Sequence, residues 1–135
     1  MKIVWMAHPV EAESDIIRAA HNHSDIDLSV VSVLNPSQEE LCSGKVVGFS
    51  RERVLSLAME IAAGKPDMVV MRYPYWISRF GVLDEFHNIF KDVNVVAWTS
   101  EQGPTRAYAV EASFGWRHVA VNNLEDVKWY RGVLP

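Results

Sequence analysis

The stretch NVVAWTSEQGPTR, Asn94 to Arg106, decides how this chain reads. Asn94 to Thr99 reads as an apolar strand with Trp98 expected to be buried inside it, Ser100 to Gln102 is polar, and Gly103-Pro104 breaks the chain where a proline suits the first turn of a helix. A strand that passes through a polar turn into a helix is the repeating unit of a parallel sheet covered by helices. In such sheets ligands bind outside the carboxyl ends of the strands. Ser100, Glu101, Gln102, Gly103, Thr105 and Arg106 therefore stand where donors and acceptors face a crevice.

Outward from that unit, the same alternation continues in both directions. Lys2 to Ala7 (KIVWMA) reads as a strand buried on both faces and stopped by His8-Pro9. Glu11 to Asn22 spaces Ala12, Ile16, Ala19 and Ala20 as a helix does, and Leu28 to Leu34 reads as a second strand ended by Asn35-Pro36. Lys45 to Phe49 suits a short edge strand. Ser50 reads as an N-cap for a helix from Arg51 to Ala63, with Val54, Leu57, Ala58 and Ile61 on one face and Gly64 past its end. Asp67 to Arg72 is a strand, Ile77 to Phe90 a helix, Pro104 to Phe114 a helix, His118 to Asn122 the last strand, and Leu124 to Arg131 a closing helix. The order predicts an α/β fold: a doubly wound, mostly parallel, Rossmann-like sheet in a single domain over residues 1–135. If strand order reverses between the first strand and the Asp67 strand, then His8, the Arg72-to-Trp76 segment and the Ser100-to-Arg106 turn share one rim.

Composition narrows the function. With 135 residues and 49% hydrophobic content the chain buries a core as one domain, about two-thirds of its unfolded surface. A net charge of −4 supplies no basic field for nucleic acid. Cys42 is the single cysteine, no apolar run reaches the ~20 residues of a membrane span, and the N-terminus lacks a signal-peptide pattern. The expectation is a protein of the reducing cytoplasm, without a membrane partner.

Several chemistries find no support. GxGxxG after the first strand, GxxxxGK[ST] and GxSxG are all absent, so dinucleotide, nucleoside triphosphate and α/β-hydrolase sites are not expected. His21 and His23 have no cysteine or carboxylate cluster around them, and neither a metal nor a cofactor is expected.

What remains is polar and aromatic residues at strand ends. His8 reads either as a ligand contact or as a structural imidazole. Arg72, Tyr73 and Tyr75 combine a guanidinium suited to phosphate or carboxylate with rings suited to a sugar or base face, while Trp76 reads as the start of a packed face. Glu101 lies between a buried strand and a helix start, where desolvation raises a carboxyl pKa; it reads as a catalytic carboxylate or as a capping partner of Arg106. Gln102 and Gly103 offer amide donors at the start of the Pro104 helix. Asn122 ends the last strand, as a ligand contact or as a cap for the next helix.

At this point the residues resemble a family. Pro66-Asp67-Met68-Val69-Val70, Val95-Val96-Ala97-Trp98, Val121-Asn122-Asn123, and Trp129-Tyr130-Arg131 before Leu134-Pro135 resemble, in order and spacing, the N-terminal half of GT-B-fold glycosyltransferases. The closest likeness is to the subgroup of spore-maturation and phage-encoded sugar transferases; it covers about half of the chain, and KIVWMAHP fits the family's first strand. The resemblance implies the acceptor side of a cleft for transfer from a nucleotide sugar, a role that His8, Arg72 and the Ser100-to-Arg106 turn would share, and Glu101 and His8 are the catalytic candidates within it. Arg72, Tyr73, Tyr75, Ser100, Gln102, Gly103, Thr105, Arg106 and Asn122 would then hold substrate. Family members carry a second, donor-binding domain, and the chain is expected to need it from a longer protein, another chain or a second copy. Two alternatives stay open: a non-catalytic small-molecule binding protein, and an assembly protein using Trp116, Trp129 and Tyr130, either as a homodimer or in a hetero-complex.

Overall fold

A computed structural model of the chain describes residues 1–7, 14–34, 45–48, 50–72, 77–78, 81–99, 110–113, 115–121 and 124–133. Within them run β1 (Lys2–Ala7), α1 (Ser14–His21), β2 (Asp27–Leu34), β3 (Lys45–Gly48), α2 (Arg51–Ala63), β4 (Met68–Arg72), α3 (Leu83–Ile89), β5 (Val95–Trp98), β6 (His118–Ala120) and α4 (Leu124–Val133). The six strands form one sheet in the order β3-β2-β1-β4-β5-β6. Every pairing is parallel. This is the α/β, doubly wound, Rossmann-like arrangement that the alternation of elements predicts.

Strand alternation sorts the side chains onto two faces. Val4 and Met6 of β1, Val31 of β2, Val69 and Met71 of β4 and Val95 of β5 share one face with Val54, Leu57, Ala58 and Ile61 of α2 and Phe86 of α3. Phe86 and Phe90 meet edge to face there at 5.5 Å, the geometry favoured by the ring quadrupoles. On the opposite face Trp5, Leu28, Val30 and Val70 pack with Ile17 and Ala20 of α1 and with Trp98. Both faces are covered, as a parallel sheet requires.

Local signals act largely as the sequence predicts, with three differences. Ser50 caps α2, its hydroxyl accepting from the Arg53 amide at 3.2 Å. Gly64 ends that helix in a right-handed conformation, and Lys65 instead takes the left-handed turn at φ 48°. The helix expected from Ile77 is interrupted: Gly81 sits at φ 70°, Val82 is the N-cap, and α3 starts at Leu83. Trp98, expected to be buried, is only half-buried, because α1 lies over the β1 and β2 side of that face and β5 stands further along the sheet. No described helix is long and apolar enough to cross a membrane.

Candidate functional site at the carboxyl rim

From β1 the chain winds outward to β2 and β3, then crosses back to place β4 on the other side of β1. The β1/β4 boundary is therefore the switch point of the sheet order, and in open α/β sheets ligands bind outside the carboxyl ends of the strands at such a point. The register Met6 to Met71 brings the end of β1 beside the end of β4, and Arg72 to Trp98 brings the end of β5 beside β4 on its other edge.

Arg72 is the one predicted site residue among the described residues. It closes β4 and is 4% exposed. A buried guanidinium demands compensation. Trp98 supplies part of it: the guanidinium carbon lies 5.0 Å from the centre of the indole ring, a cation–π distance, and Nη1 lies 3.5 Å from the Trp98 carbonyl oxygen. Trp5 of β1 meets Trp98 edge to face with ring centres 5.6 Å apart. Arg72, Trp98 and Trp5 thus form a continuous aromatic and cationic patch at the end of one sheet face.

Trp5 adds a feature that the sequence does not reveal. Its indole Nε1 is buried and has no hydrogen-bond partner among the described residues. An orphaned buried donor costs about 1–3 kcal/mol, and native interiors contain few of them. Sequence reasoning assigned Trp5 to a buried strand and nothing more, since the fate of one N–H depends on the register of its neighbours.

Thr99, one residue beyond β5, is fully buried, and its Oγ1 lies 3.1 Å from the Tyr130 hydroxyl of α4. This buried contact ties the last helix to the residue just beyond the end of β5. Tyr130, assigned by sequence to an assembly surface, is itself 6% exposed and belongs to the interior.

His8, Tyr73, Tyr75, Ser100, Glu101, Gln102, Gly103, Thr105, Arg106 and Asn122 lie outside the described residues. What is described is the frame they follow in sequence: the ends of β1, β4, β5 and β6. Among the described residues no group of three histidine, cysteine or acidic side chains is placed to hold a metal.

Compared with known proteins, the chain matches no family model, no curated protein and no solved structure.

Proposed function

We propose that this chain binds a small hydroxylated molecule in the crevice at the β1/β4 switch point, and that it serves as the acceptor side of a sugar-transfer cleft. The observation that carries the proposal is the pairing of a buried arginine with a buried indole N–H that has no partner among the described residues, on the two strands that flank the switch point. Guanidinium and indole both donate, and flat rings beside them suit the face of a sugar. The resemblance of the strand and helix motifs to GT-B glycosyltransferases gives this ligand site its chemistry. In this reading Glu101 and His8 handle the proton of the acceptor hydroxyl, and Tyr73, Tyr75 and the Ser100-to-Arg106 turn hold the acceptor. The activated sugar arrives on a nucleotide diphosphate held by a separate donor-binding domain, supplied by a longer protein, another chain or a second copy. The compartment in this reading is the cytoplasm.

The test has two arms. Native mass spectrometry of protein purified under mild conditions, followed by titration of any released ligand, should show binding that Arg72→Ala weakens at least tenfold. The 135 residues contain no glycine-rich phosphate loop, so the chain alone should transfer no sugar from UDP-glucose or GDP-mannose. Turnover by a purified, partner-free sample would overturn the need for a donor domain. Full binding by Arg72→Ala would overturn the site.

A further inference from the structure

A cavity lies at the amino-terminal rim of the sheet, where β5 and β6 begin. It encloses about 610 Å³, a volume in the ordinary range for small-molecule sites. Its walls come from the end of α3, the turn into β5 and the turn into β6. From these elements His87, Lys91, Asn94, Trp116, Arg117 and His118 line it, with Asp92 the one carboxylate among the described residues.

The inner wall is built to close tolerances. Gly115 sits at φ 81°, a conformation open to glycine and rarely to other residues. A Cβ added at Gly115 would come within 2.8 Å of His87 Cε1, so the absence of a side chain there lets the imidazole lie against the turn. His87 then stacks on Trp116, with ring centres 4.0 Å apart and planes 27° from parallel. Trp116 is fixed in turn by its Nε1–H, which donates to the Ala112 carbonyl at 2.8 Å. Helix α3, the 110–113 helical turn and the approach to β6 are thereby locked around one flat aromatic surface.

The outer wall is cationic. Lys91 and Arg117 are exposed, and among the described residues the side chain of neither makes an ion pair or a hydrogen bond. His118 is exposed beside them. Among the described lining residues two fixed cations, Lys91 and Arg117, stand against one carboxylate, Asp92, a local positive excess on a chain whose net charge is −4. Such an excess is costly to assemble through like-charge repulsion and is relieved by an anion.

We propose that this cavity is a binding site for a small phosphorylated molecule, separate from the carboxyl-rim crevice. Arg117 offers a planar fork of donors and Lys91 a point charge, the pairing that suits the oxygens of a phosphate. His118 and the Asn94 amide add donors, and the Trp116/His87 stack presents a flat surface for the body of the ligand. The volume exceeds that of an inorganic phosphate ion, which leaves room for a sugar or ring attached to it.

The experiment is a titration of the whole chain with inorganic phosphate, ribose 5-phosphate and citrate at low ionic strength. It is followed by amide and indole NMR shifts, with the Trp116 indole as the reporter. The expected result is saturable shifts at Trp116 and at residues 91–94 and 117–118, with ribose 5-phosphate binding more tightly than inorganic phosphate. Arg117→Ala should weaken both at least tenfold, and Lys128→Ala, which removes an exposed cation on α4, should leave both unchanged. Gly115→Ala, which displaces His87, should weaken ribose 5-phosphate more than inorganic phosphate. Should Gly115→Ala fail to fold, Trp116→Phe provides the same comparison, read from the amide shifts. Citrate binding without phosphate binding would overturn the ligand class. Absence of saturation to tens of millimolar, or equal losses in Arg117→Ala and Lys128→Ala, would overturn the site.

Discussion

Trp5 and Trp98 differ in what their substitution would report. Trp5 is nearly inaccessible yet keeps an indole N–H without an acceptor among the described residues. Replacing it with phenylalanine removes that donor and with it a penalty of about 1–3 kcal/mol, which offsets much of the lost packing. Trp5→Phe should therefore cost no more than about 1 kcal/mol, whereas Met71→Ala, at a fully buried position of the other face, should cost about 2–5 kcal/mol. Urea denaturation of the two variants makes the comparison, and equal losses would mean that the indole N–H is satisfied. Trp98→Ala should lie near the lower end of the 3–5 kcal/mol range for large aromatic truncations, because its ring is half-buried, and it would strip Arg72 of its cation–π partner. At this scale the sequence singles out Arg72 as a candidate on its chemistry and its place at a strand end, and the structure places it, buried, at the end of β4. It cannot mark Trp5, because three strands must first be brought into register. Lys65 escapes for a related reason: a glycine one position earlier is the stronger left-handed signal, and the helix instead carries its right-handed turn one residue further.

Helix α2 was legible from both ends, and α3 was not. Ser50 followed by an apolar face spaced at three and four residues predicts the start and the buried side of α2, and Val54, Leu57, Ala58 and Ile61 are all buried. Ser50→Ala should cost about 1 kcal/mol through the lost cap, measured by thermal melting. In the segment from Ile77 the apolar spacing runs through Gly81 without a visible break, so periodicity extends the helix past its true start. Arg51 of α2 forms an ion pair with Glu85 of α3, placing the two helices side by side over the same face. Both residues are substantially exposed, and such pairs contribute little to stability. Helix α4 carries the clearest assembly signal: Trp129 is 38% exposed and meets Tyr130 edge to face at 5.0 Å. If α4 joins this chain to a donor domain or a second copy, light scattering should find an assembly larger than a monomer, and Trp129→Ser should dissociate it without lowering the melting temperature by more than a few degrees. A monodisperse monomer at high concentration would exclude self-association through α4.

Across the whole molecule, the parallel, doubly wound character of the sheet was legible because apolar strands alternate with amphipathic helices along most of the sequence. The apolar runs at Lys2, Leu28, Asp67 and Asn94 all give strands within a residue or two of the expected limits. The point of reversal, by contrast, was only a condition in the sequence reading. It depends on which edge of β1 receives β4, a choice that no local pattern records. The candidate site inherits that division: the rim follows from topology, while most of its predicted residues belong to connections outside the described residues. Strand β1 lies between β2 and β4, with Val4, Trp5 and Met6 all buried. Amide hydrogen exchange should accordingly be slowest at Val4 to Met6 and at Val69 to Met71, the central pair, and faster at His118 to Ala120 on the sheet edge. Exchange at β6 as slow as at β1 would contradict the strand order.

The central position of β1 also has a consequence for synthesis on the ribosome. Its first neighbour, β2, is complete by Leu34, but its second, β4, does not begin until Met68. At about 5–20 residues per second, one side of an apolar strand waits a few seconds for its partner, its backbone donors and acceptors open to any other extended chain. That interval is when a nascent chain is most exposed to aggregation. Holding it open longer, by slow codons between positions 35 and 67, should lower the soluble yield without changing the protein that finally folds.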